Sequence, residues 1–209
     1  LHYADINVND INLYRTEYER LFSLSNQKAL YENTPLAYIW DDHDYGANNS
    51  GASSISRTAA RSAYRAYIPN TGAIYYSYAI DNVLFVVTDN RSERSLVSNT
   101  DNSSKTVLGT EQKQWFKDTL LAAKGVYKGV VWYNSFPWLG NAFSDDEWCY
   151  YATERTELAT YIKTNEIPLL AIICGDAHMI AIDNGSANEI YGVPTYQFAS
   201  LDQTNSVKG

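Results

Sequence analysis

The sequence lacks most of the residue patterns that identify an active site without a structure. Two cysteines occur among 209 residues and no Cys-x-x-Cys pair is present, which excludes a cysteine-based zinc site. The nucleophile motif Gly-x-Ser-x-Gly and the phosphate loop Gly-x-x-x-x-Gly-Lys are also absent. A serine hydrolase of the α/β type and a P-loop NTPase are therefore disfavoured.

The chain is also poor in positive charge and in long apolar runs. It carries 16 Lys and Arg residues against 24 Asp and Glu, for a formal net charge of −8. An extended nucleic-acid surface is not expected, because a basic face normally meets the phosphate backbone. No stretch is apolar over the ~18 residues that a membrane-spanning helix needs, so no span is expected.

Histidine is scarce as well, and two of the three histidines lie in acidic surroundings. His43 lies within "WDDHD", directly after the apolar run 36–40, and His178 lies within "CGDAH", after the apolar run 168–174. Ligands of α/β proteins collect outside the carboxyl ends of the strands. If both runs are strands, the two motifs are expected to meet at one edge of a sheet.

These two motifs together supply six candidate ligands: Asp41, Asp42, His43, Asp44, Asp176 and His178. Carboxylates that converge in one crevice repel each other unless a cation neutralises them. Because the set contains no thiolate, it favours Mn, Fe, Zn or Ca. For any single residue the alternative is structural, as a turn or N-cap aspartate or a hydrogen-bonded histidine. The presence of both motifs after apolar runs favours the metal site.

Strand and helix patterns alternate along the chain, which predicts one α/β domain with a mixed sheet over residues 1–209. The predicted strands are 36–40, 74–80, 83–89, 126–134 and 167–176, with a last pair at "AIDNG" and "YQFAS". Asp81-Asn82 is predicted to be a two-residue hairpin turn. The predicted helices are 10–24, 56–67 with Ser56 as N-cap, and those within "TEQKQWFKDTLLAAKG" and "TERTELATYIK".

Six segments are distinctive in their order: "LHYADINVNDINLYR", "YIWDDHDYGANNS", "FVVTDNRSER", "LGTEQKQWF", "VVWYNSFPW" and "ICGDAHMIAID". Together they resemble the PhoD-like alkaline phosphatases and phosphodiesterases of the metallophosphoesterase superfamily. The resemblance implies a four-layer α/β/β/α sandwich with mixed sheets and a two-metal site. Tyr3 matches the tyrosine of the family's Gly-Asp-x-x-Tyr motif. The fold is therefore expected to be incomplete at its N-terminus, with residues 1–209 as part of the catalytic core.

The resemblance also implies roles for individual residues. His43 would act as acid and phosphate binder, and Arg91 in "DNRSER" as a phosphate-contacting arginine. The implied metal ligands are Tyr3, Asp42, Asp44, Asn134, Asp176 and His178. A tyrosinate ligand favours a hard trivalent ion, so the expected pair is Fe(III) with Ca(II) or with another divalent ion such as Mn or Zn.

The expected function is metal-dependent hydrolysis of phosphomonoesters or phosphodiesters by metal-activated water, in a secreted or extracytoplasmic enzyme. Asn-x-Ser sequons agree with that location and begin at Asn48, Asn90, Asn102 and Asn184. Two alternatives stay open. One is a mononuclear metal hydrolase of non-phosphate esters. The other is a non-catalytic calcium- or carbohydrate-binding module, because "WYNSFPW" and "DDEWCYY" are rich in aromatics. These aromatics could equally belong to the core or to the rim of a substrate cleft, and we interpret them as the rim.

Overall fold

A mixed six-stranded sheet organises the chain in the computed structural model, which describes residues 1–69, 72–140, 145–176, 180–184 and 195–197. The strands are β1 (Tyr76–Ile80), β2 (Val83–Val87), β3 (Gly129–Tyr133), β4 (Leu169–Cys174), β5 (Ala181–Asp183) and β6 (Thr195–Gln197). Their order across the sheet is β1-β2-β3-β4-β6-β5. The edge strands β1 and β5 pair antiparallel, and the inner strands run parallel. The loops after β2, β3 and β4 therefore come together at one edge.

The mixed α/β class predicted from the sequence is confirmed. Strands β1 to β4 lie within the runs that predicted them. Asp81-Asn82 is the turn between β1 and β2, and Ile80 pairs with Val83 across it. Asp81 takes a positive φ of 49°, which aspartate adopts more readily than most residues. A second sheet, as in a four-layer sandwich, stays a prediction, because all the described strands belong to one sheet.

Residues 36–40 do not form the strand that their apolar run predicts. Tyr38 is buried but Leu36 is 43% exposed, so the segment is not covered on both sides. The carbonyl of Tyr38 accepts hydrogen bonds from the hydroxyls of Tyr64, at 2.7 Å, and Tyr76, at 3.2 Å. Side-chain donors thus occupy a backbone acceptor that a neighbouring strand would otherwise use, which apolar content alone does not reveal.

The helices are α1 (Ile11–Ser23), α2 (Ser25–Asn33), α3 (Asp42–Tyr45), α4 (Arg57–Tyr67), α5 (Gly109–Ala123) and α6 (Ala152–Thr164), with a 3₁₀ helix at Trp148–Tyr151. Helices α1, α4, α5 and α6 match the predictions, whereas α2 and α3 were not predicted. Asp10 caps α1 by accepting the backbone N–H of Asn12 at 2.9 Å. Ser56 lies at the N-cap of α4 as predicted, but its hydroxyl donates to the carbonyl of Tyr45 instead of capping the helix.

No helix within the described ranges has the length and apolar character needed to cross a membrane. Residues 95–106 are mostly exposed, although Lys105 is buried and donates to the carbonyl of Val97 at 2.6 Å. Both cysteines, Cys149 and Cys174, are free thiols.

The buried apolar side chains form two separate cores. The sheet-side core is built mainly from β2, β3, α5 and α6, and includes Leu84, Val86, Phe116, Leu120, Val130, Trp132, Phe136, Trp138, Trp148, Tyr151, Leu158, Ile162 and Ile172. The helix-side core is built mainly from α1, α4 and residues 36–45, and includes Ile6, Tyr14, Tyr18, Tyr38, Trp40, Tyr45, Ala60, Ala63, Tyr64 and Ile68. Trp40 of the helix-side core donates its Nε1–H to Asp89 at 2.8 Å, just after β2. The two regions therefore meet where the parallel strands end.

Candidate metal centre

Three aspartates meet at this edge of the sheet. Asp41, Asp42 and Asp176 each offer a carboxylate oxygen, and the three oxygens lie within 4.8 Å of one another. We call these residues the acidic cluster. Asp176 follows β4 closely, whereas Asp41 and Asp42 stand at the start of the one-turn helix α3. The sequence predicted that the motifs after residues 40 and 174 meet at one edge of the sheet. Asp42 and Asp176, one from each motif, do lie together there.

Two carboxylates of the acidic cluster, those of Asp41 and Asp176, have raised pKa values. Burial raises the pKa of Asp41 above that of an ordinary aspartate, despite the opposing charge of Arg91. Burial, with the charges of Asp41 and Asp146, raises the pKa of Asp176 in the same direction. A cation would remove this penalty, because it favours the ionised carboxylates. Ligands that are all oxygens suit hard cations such as Ca²⁺, Mn²⁺ or Fe³⁺. The donor set of the cluster therefore fits a metal ion.

The loop after α3 sets the position of Asp42. This side chain is buried, and its Oδ2 accepts the backbone N–H of Asn49 at 2.7 Å. The loop begins at Gly46, whose N–H donates to the carbonyl of Asp42 at 2.6 Å. A Cβ at position 46 would lie 2.5 Å from the hydroxyl oxygen of Ser50 and 2.7 Å from that of Ser56. The missing side chain of Gly46 therefore allows the loop to close tightly over Asp42.

Arg91 lies behind the acidic cluster with its side chain fully buried. Its Nε donates to Oδ1 of Asp41 at 2.6 Å, and its Nη2 contacts the same oxygen. Its Nη1 and Nη2 donate to the two carboxylate oxygens of Asp146 at 2.9 Å and 2.7 Å. Each guanidinium nitrogen thus has a carboxylate partner within the protein. A direct contact between Arg91 and phosphate stays a prediction, which these contacts do not support.

His43 lies beside the acidic cluster and is held by two neighbours. Its Nδ1 lies 2.5 Å from Oδ1 of Asp5, and its Nε2 lies 3.7 Å from Oδ2 of Asp42. The ring of Tyr3 stacks on the imidazole with the ring centroids 3.9 Å apart. A carboxylate at Nδ1 favours a proton on that nitrogen and leaves Nε2 towards the cluster. The described contact of Tyr3 with the site is this stacking on His43, and its role as a metal ligand stays a prediction.

Asp44 belongs to the same motif but engages its oxygens with backbone donors. Its Oδ1 accepts the N–H groups of His2 at 2.7 Å and Tyr3 at 3.2 Å. Its Oδ2 accepts the N–H of Asp41 at 3.4 Å, across the first turn of α3. These contacts hold the first residues of the chain against α3. Metal ligation by Asp44 stays a prediction, and the described role of its carboxylate is to join these two segments.

Asn134, after β3, also uses its amide within the protein. Its Oδ1 accepts from Nδ2 of Asn90 and from Nε1 of Trp148, the latter at 2.9 Å. Its Nδ2 donates to the carbonyl of Phe136 at 2.7 Å. Asn134 lies directly after β3, and metal ligation by it stays a prediction.

Four aromatics of "WYNSFPW" and "DDEWCYY" do not form the rim that we inferred from the sequence. Trp132, Phe136, Trp138 and Trp148 are completely buried and belong to the sheet-side core. Their rings pack on one another, for example Trp138 on Trp148 with centroids 5.2 Å apart. The interpretation as a cleft rim is wrong for these four side chains, because their stacking surface is already used inside the protein.

Several residues around the site have backbone angles that are unusual for non-glycine residues. Tyr3, Asp5 and Asp176 have positive φ values of 47°, 52° and 69°. Such conformations cost about 1 kcal/mol each or more, and persist where surrounding contacts fix them. Three of them around His43 and the acidic cluster indicate a site whose side chains are positioned before any ligand binds.

Comparisons with known proteins identify the family and the fold of this chain. A family model described as PhoD-like phosphatase matches residues 4–199. The chain belongs to the PhoD-like phosphatase family. Alkaline phosphatase D of Bacillus subtilis (strain 168) is 25% identical over 201 residues, covering 79% of this chain and 34% of that protein. The solved chain described as "Structure of PhoD" has a TM-score of 0.78 at 20% identity, covering 95% of this chain and 48% of the other. This chain therefore spans about a third and about half of those two relatives.

Membership of the PhoD-like phosphatase family confirms the resemblance inferred from the six segments. The structural likeness confirms the fold, at an identity too low to transfer more than that. His178 lies outside the described residues, so its predicted ligation has no geometry to report.

Sequence analysis left the roles of three residues at this site unassigned or incomplete. Asp41 was one of the six candidate ligands from the two motifs, but it was not among the ligands that the resemblance implies. Asp5 was not recognised as the partner of His43, and Asp146 was not recognised as the partner of Arg91. The signal available for Asp146 was the run of three acidic residues in "SDDEW", which immediately precedes the buried Trp148.

Proposed function

We propose that this chain carries metal-dependent phosphoester hydrolysis, the reaction class that its family name indicates. The observation that supports it most directly is the position of His43 next to the acidic cluster. Three carboxylates suited to a cation and one oriented imidazole are the groups that this reaction requires. The name of the relative, alkaline phosphatase D, favours phosphate esters as the substrates.

The acidic cluster would hold the cation through Asp41, Asp42 and Asp176. A cation bound there supplies positive charge to the phosphoryl oxygens and makes water more acidic. The protein's part is to keep the three oxygens together and their neighbours hydrogen-bonded. Tyr3 and His178 are the proposed further ligands for a second ion. The identity of the ions, Fe(III) with Ca(II) or with Mn or Zn, is part of this proposal, as is a secreted or extracytoplasmic location.

His43 is the proposed general acid. The Asp5 carboxylate holds Nδ1 and the Tyr3 ring covers one face, so rotation of the imidazole is restricted. The Nε2 atom, on the side of Asp42, would donate a proton to the oxygen of the leaving alcohol. This assistance matters most for esters whose leaving alcohol is a poor leaving group.

The test combines metal analysis and hydrolysis on the 209-residue chain. Metal content is measured by plasma mass spectrometry, and p-nitrophenyl phosphate, bis-p-nitrophenyl phosphate and phenyl phosphate are assayed with and without EDTA. We expect bound metal and EDTA-sensitive hydrolysis in the wild type. Asp42→Asn is expected to lose both, whereas the exposed-site control Asp118→Asn is expected to lose neither.

His43→Gln separates the acid from the metal site. We expect it to keep its metal, and to lose about 10²- to 10⁴-fold in kcat on phenyl phosphate but much less on p-nitrophenyl phosphate, which has a better leaving group. Hydrolysis that survives complete metal removal would contradict the proposal, and so would a metal-loaded chain that cleaves none of these phosphates. One ion per chain together with cleavage of p-nitrophenyl acetate alone would favour the mononuclear alternative.

A further inference from the structure

Asp146 is a buried carboxylate with two arginine partners, and the mechanism above does not use it. It lies between β3 and the 3₁₀ helix and is 1% exposed. Its two oxygens accept Nη1 and Nη2 of Arg91 in a side-by-side pair. Its Oδ1 also lies 2.6 Å from Nη2 of Arg94. A buried charge of this kind is stable only because it is paired and hydrogen-bonded.

Arg91 connects Asp146 to the acidic cluster. One edge of the guanidinium faces Asp146, and the Nε edge faces Asp41 at 2.6 Å. Nη2 also lies 3.7 Å from Oδ1 of Asp42. The plane is further held by the Phe136 ring, whose centroid lies 5.2 Å from the guanidinium carbon. Because the guanidinium is rigid and planar, fixing one edge fixes the direction of the other.

The same connection divides the positive charge of Arg91. Asp146 pairs with Nη1 and Nη2, so only part of the guanidinium charge is directed at Asp41 and Asp42. Without Asp146, the arginine would turn its full charge and donors to the acidic cluster. It would then compete with a cation for the same carboxylate oxygens.

We propose that Asp146 is a positioning residue for the metal centre, acting through Arg91 on the carboxylate of Asp41. The inference rests on the proposed function, because it assumes a cation at the acidic cluster. It replaces a phosphate-contacting Arg91 with an Arg91 that orients a ligand and balances its charge. A residue that orients a ligand in this way typically changes metal affinity by about 10- to 100-fold when mutated.

The test is the affinity of the full chain for Mn²⁺ alone, by isothermal titration calorimetry without substrate. We expect Asp146→Asn to raise the dissociation constant for Mn²⁺ about tenfold or more, with an unchanged circular dichroism spectrum. Two controls accompany it. Asp118→Asn removes an exposed carboxylate, and Leu158→Ala destabilises the sheet-side core away from the acidic cluster. Both are expected to stay within about twofold of the wild type.

Arg91→Lys tests the same connection if Asp146→Asn does not fold. It keeps the charge but loses the planar fork, and the expected loss of Mn²⁺ affinity is again about tenfold. In the double variant the two losses should not add, because both break one connection.

Unchanged Mn²⁺ affinity in either folded single variant would overturn the inference while leaving the proposed function intact. Additive losses in the double variant would overturn the route through Arg91. If Asp146→Asn and Leu158→Ala have the same melting temperature and lose the same Mn²⁺ affinity, the loss follows from reduced stability. Asp146 would then have no positioning role. A wild-type chain that binds no Mn²⁺ would overturn the inference and the proposed metal site together.

Discussion

The two cores beside the candidate metal centre contain different aromatic residues. Five of the helix-side core residues are tyrosines: Tyr14, Tyr18, Tyr38, Tyr45 and Tyr64. The sheet-side core contains one tyrosine and three tryptophans instead. In the sheet the backbone groups are paired by the strands themselves. In the helix-side region much of the backbone near the site is irregular, and the hydroxyls of Tyr14 and Tyr64 donate to backbone carbonyls there.

Particular contacts show this difference. Tyr14 donates to the carbonyls of Ile6 and Tyr45, at 3.0 Å and 2.7 Å, and so joins the chain on both sides of α1. In the sheet-side core the indole N–H of Trp132 donates to the hydroxyl of Thr88 at 2.9 Å, a side chain at the end of β2. Tyrosines thus hold backbone on one side of the site, and tryptophans hold side chains on the other.

The largest expected effect is the loss of a sheet-side aromatic. Trp132→Ala should lower the free energy of unfolding by about 3–5 kcal/mol, because it removes a completely buried ring and leaves a cavity. Urea denaturation measures this change. Leu121→Ala, on the exposed side of α5, is the control and should stay within about 0.5 kcal/mol of the wild type. A small effect of Trp132→Ala would mean that this core does not support the fold.

Two tyrosines of the helix-side core should respond differently to loss of their hydroxyls. Tyr14→Phe removes the hydroxyl that donates to the carbonyl of Ile6 and one of the two hydroxyls that donate to the carbonyl of Tyr45, and should cost about 1–3 kcal/mol. Within the described part of the chain the Tyr45 hydroxyl is buried without a hydrogen-bond partner, so Tyr45→Phe should be neutral or stabilising. Chemical denaturation of both variants checks this. Equal losses would show that ring packing, and not hydroxyl donation, explains the tyrosines.

A smaller effect tests whether hydroxyls replace a strand partner at residues 36–40. Tyr64→Phe should cost about 1 kcal/mol, because the carbonyl of Tyr38 keeps its bond from Tyr76. The double variant Tyr64→Phe/Tyr76→Phe should lose more than the sum, since that carbonyl then loses both donors. A strictly additive double variant would contradict the shared role.

The smallest effect concerns two carboxylates on α6, which covers the sheet-side core. Burial raises the pKa of Glu154 above its usual value, although Thr106 and Val107 donate to it. Burial acts in the same direction on Glu157, but hydrogen bonds from Lys113 and Lys117 outweigh it and lower that pKa.

The two shifts make opposite predictions for stability against pH. A raised pKa means that the contribution of Glu154 is complete below its ordinary pKa of 4.5 and is lost as pH rises. A lowered pKa means that the contribution of Glu157 is present above 4.5 and is lost as pH falls. We therefore compare the melting temperature of each variant with that of the wild type as the pH is raised from about 4 to about 7. The difference, variant minus wild type, should increase for Glu154→Gln and decrease for Glu157→Gln. Parallel trends would contradict the assignment.

Local signals predicted much of the fold. Asp81-Asn82 lies between two strand-like runs, so the turn could be read directly, and Asp42 and Asp176 were found because each follows an apolar run. The strand predicted at 36–40 is not formed, and the carbonyl of Tyr38 accepts hydrogen bonds from the hydroxyls of Tyr64 and Tyr76 instead. The contacts of Asp5 with His43 and of Asp146 with Arg91 join residues far apart in the chain. No local pattern encodes such pairs, because tertiary packing decides them.

The position of the acidic cluster also concerns how the chain is held together. Asp41 and Asp42 come from the first quarter of the 209 residues, and Asp176 comes from the last quarter. An ion shared by these side chains would act as a cross-link that closes most of the polypeptide into one loop. Its effect on unfolding would grow with the logarithm of free ion concentration. Metal supply would then regulate the lifetime of the folded protein as well as its chemistry.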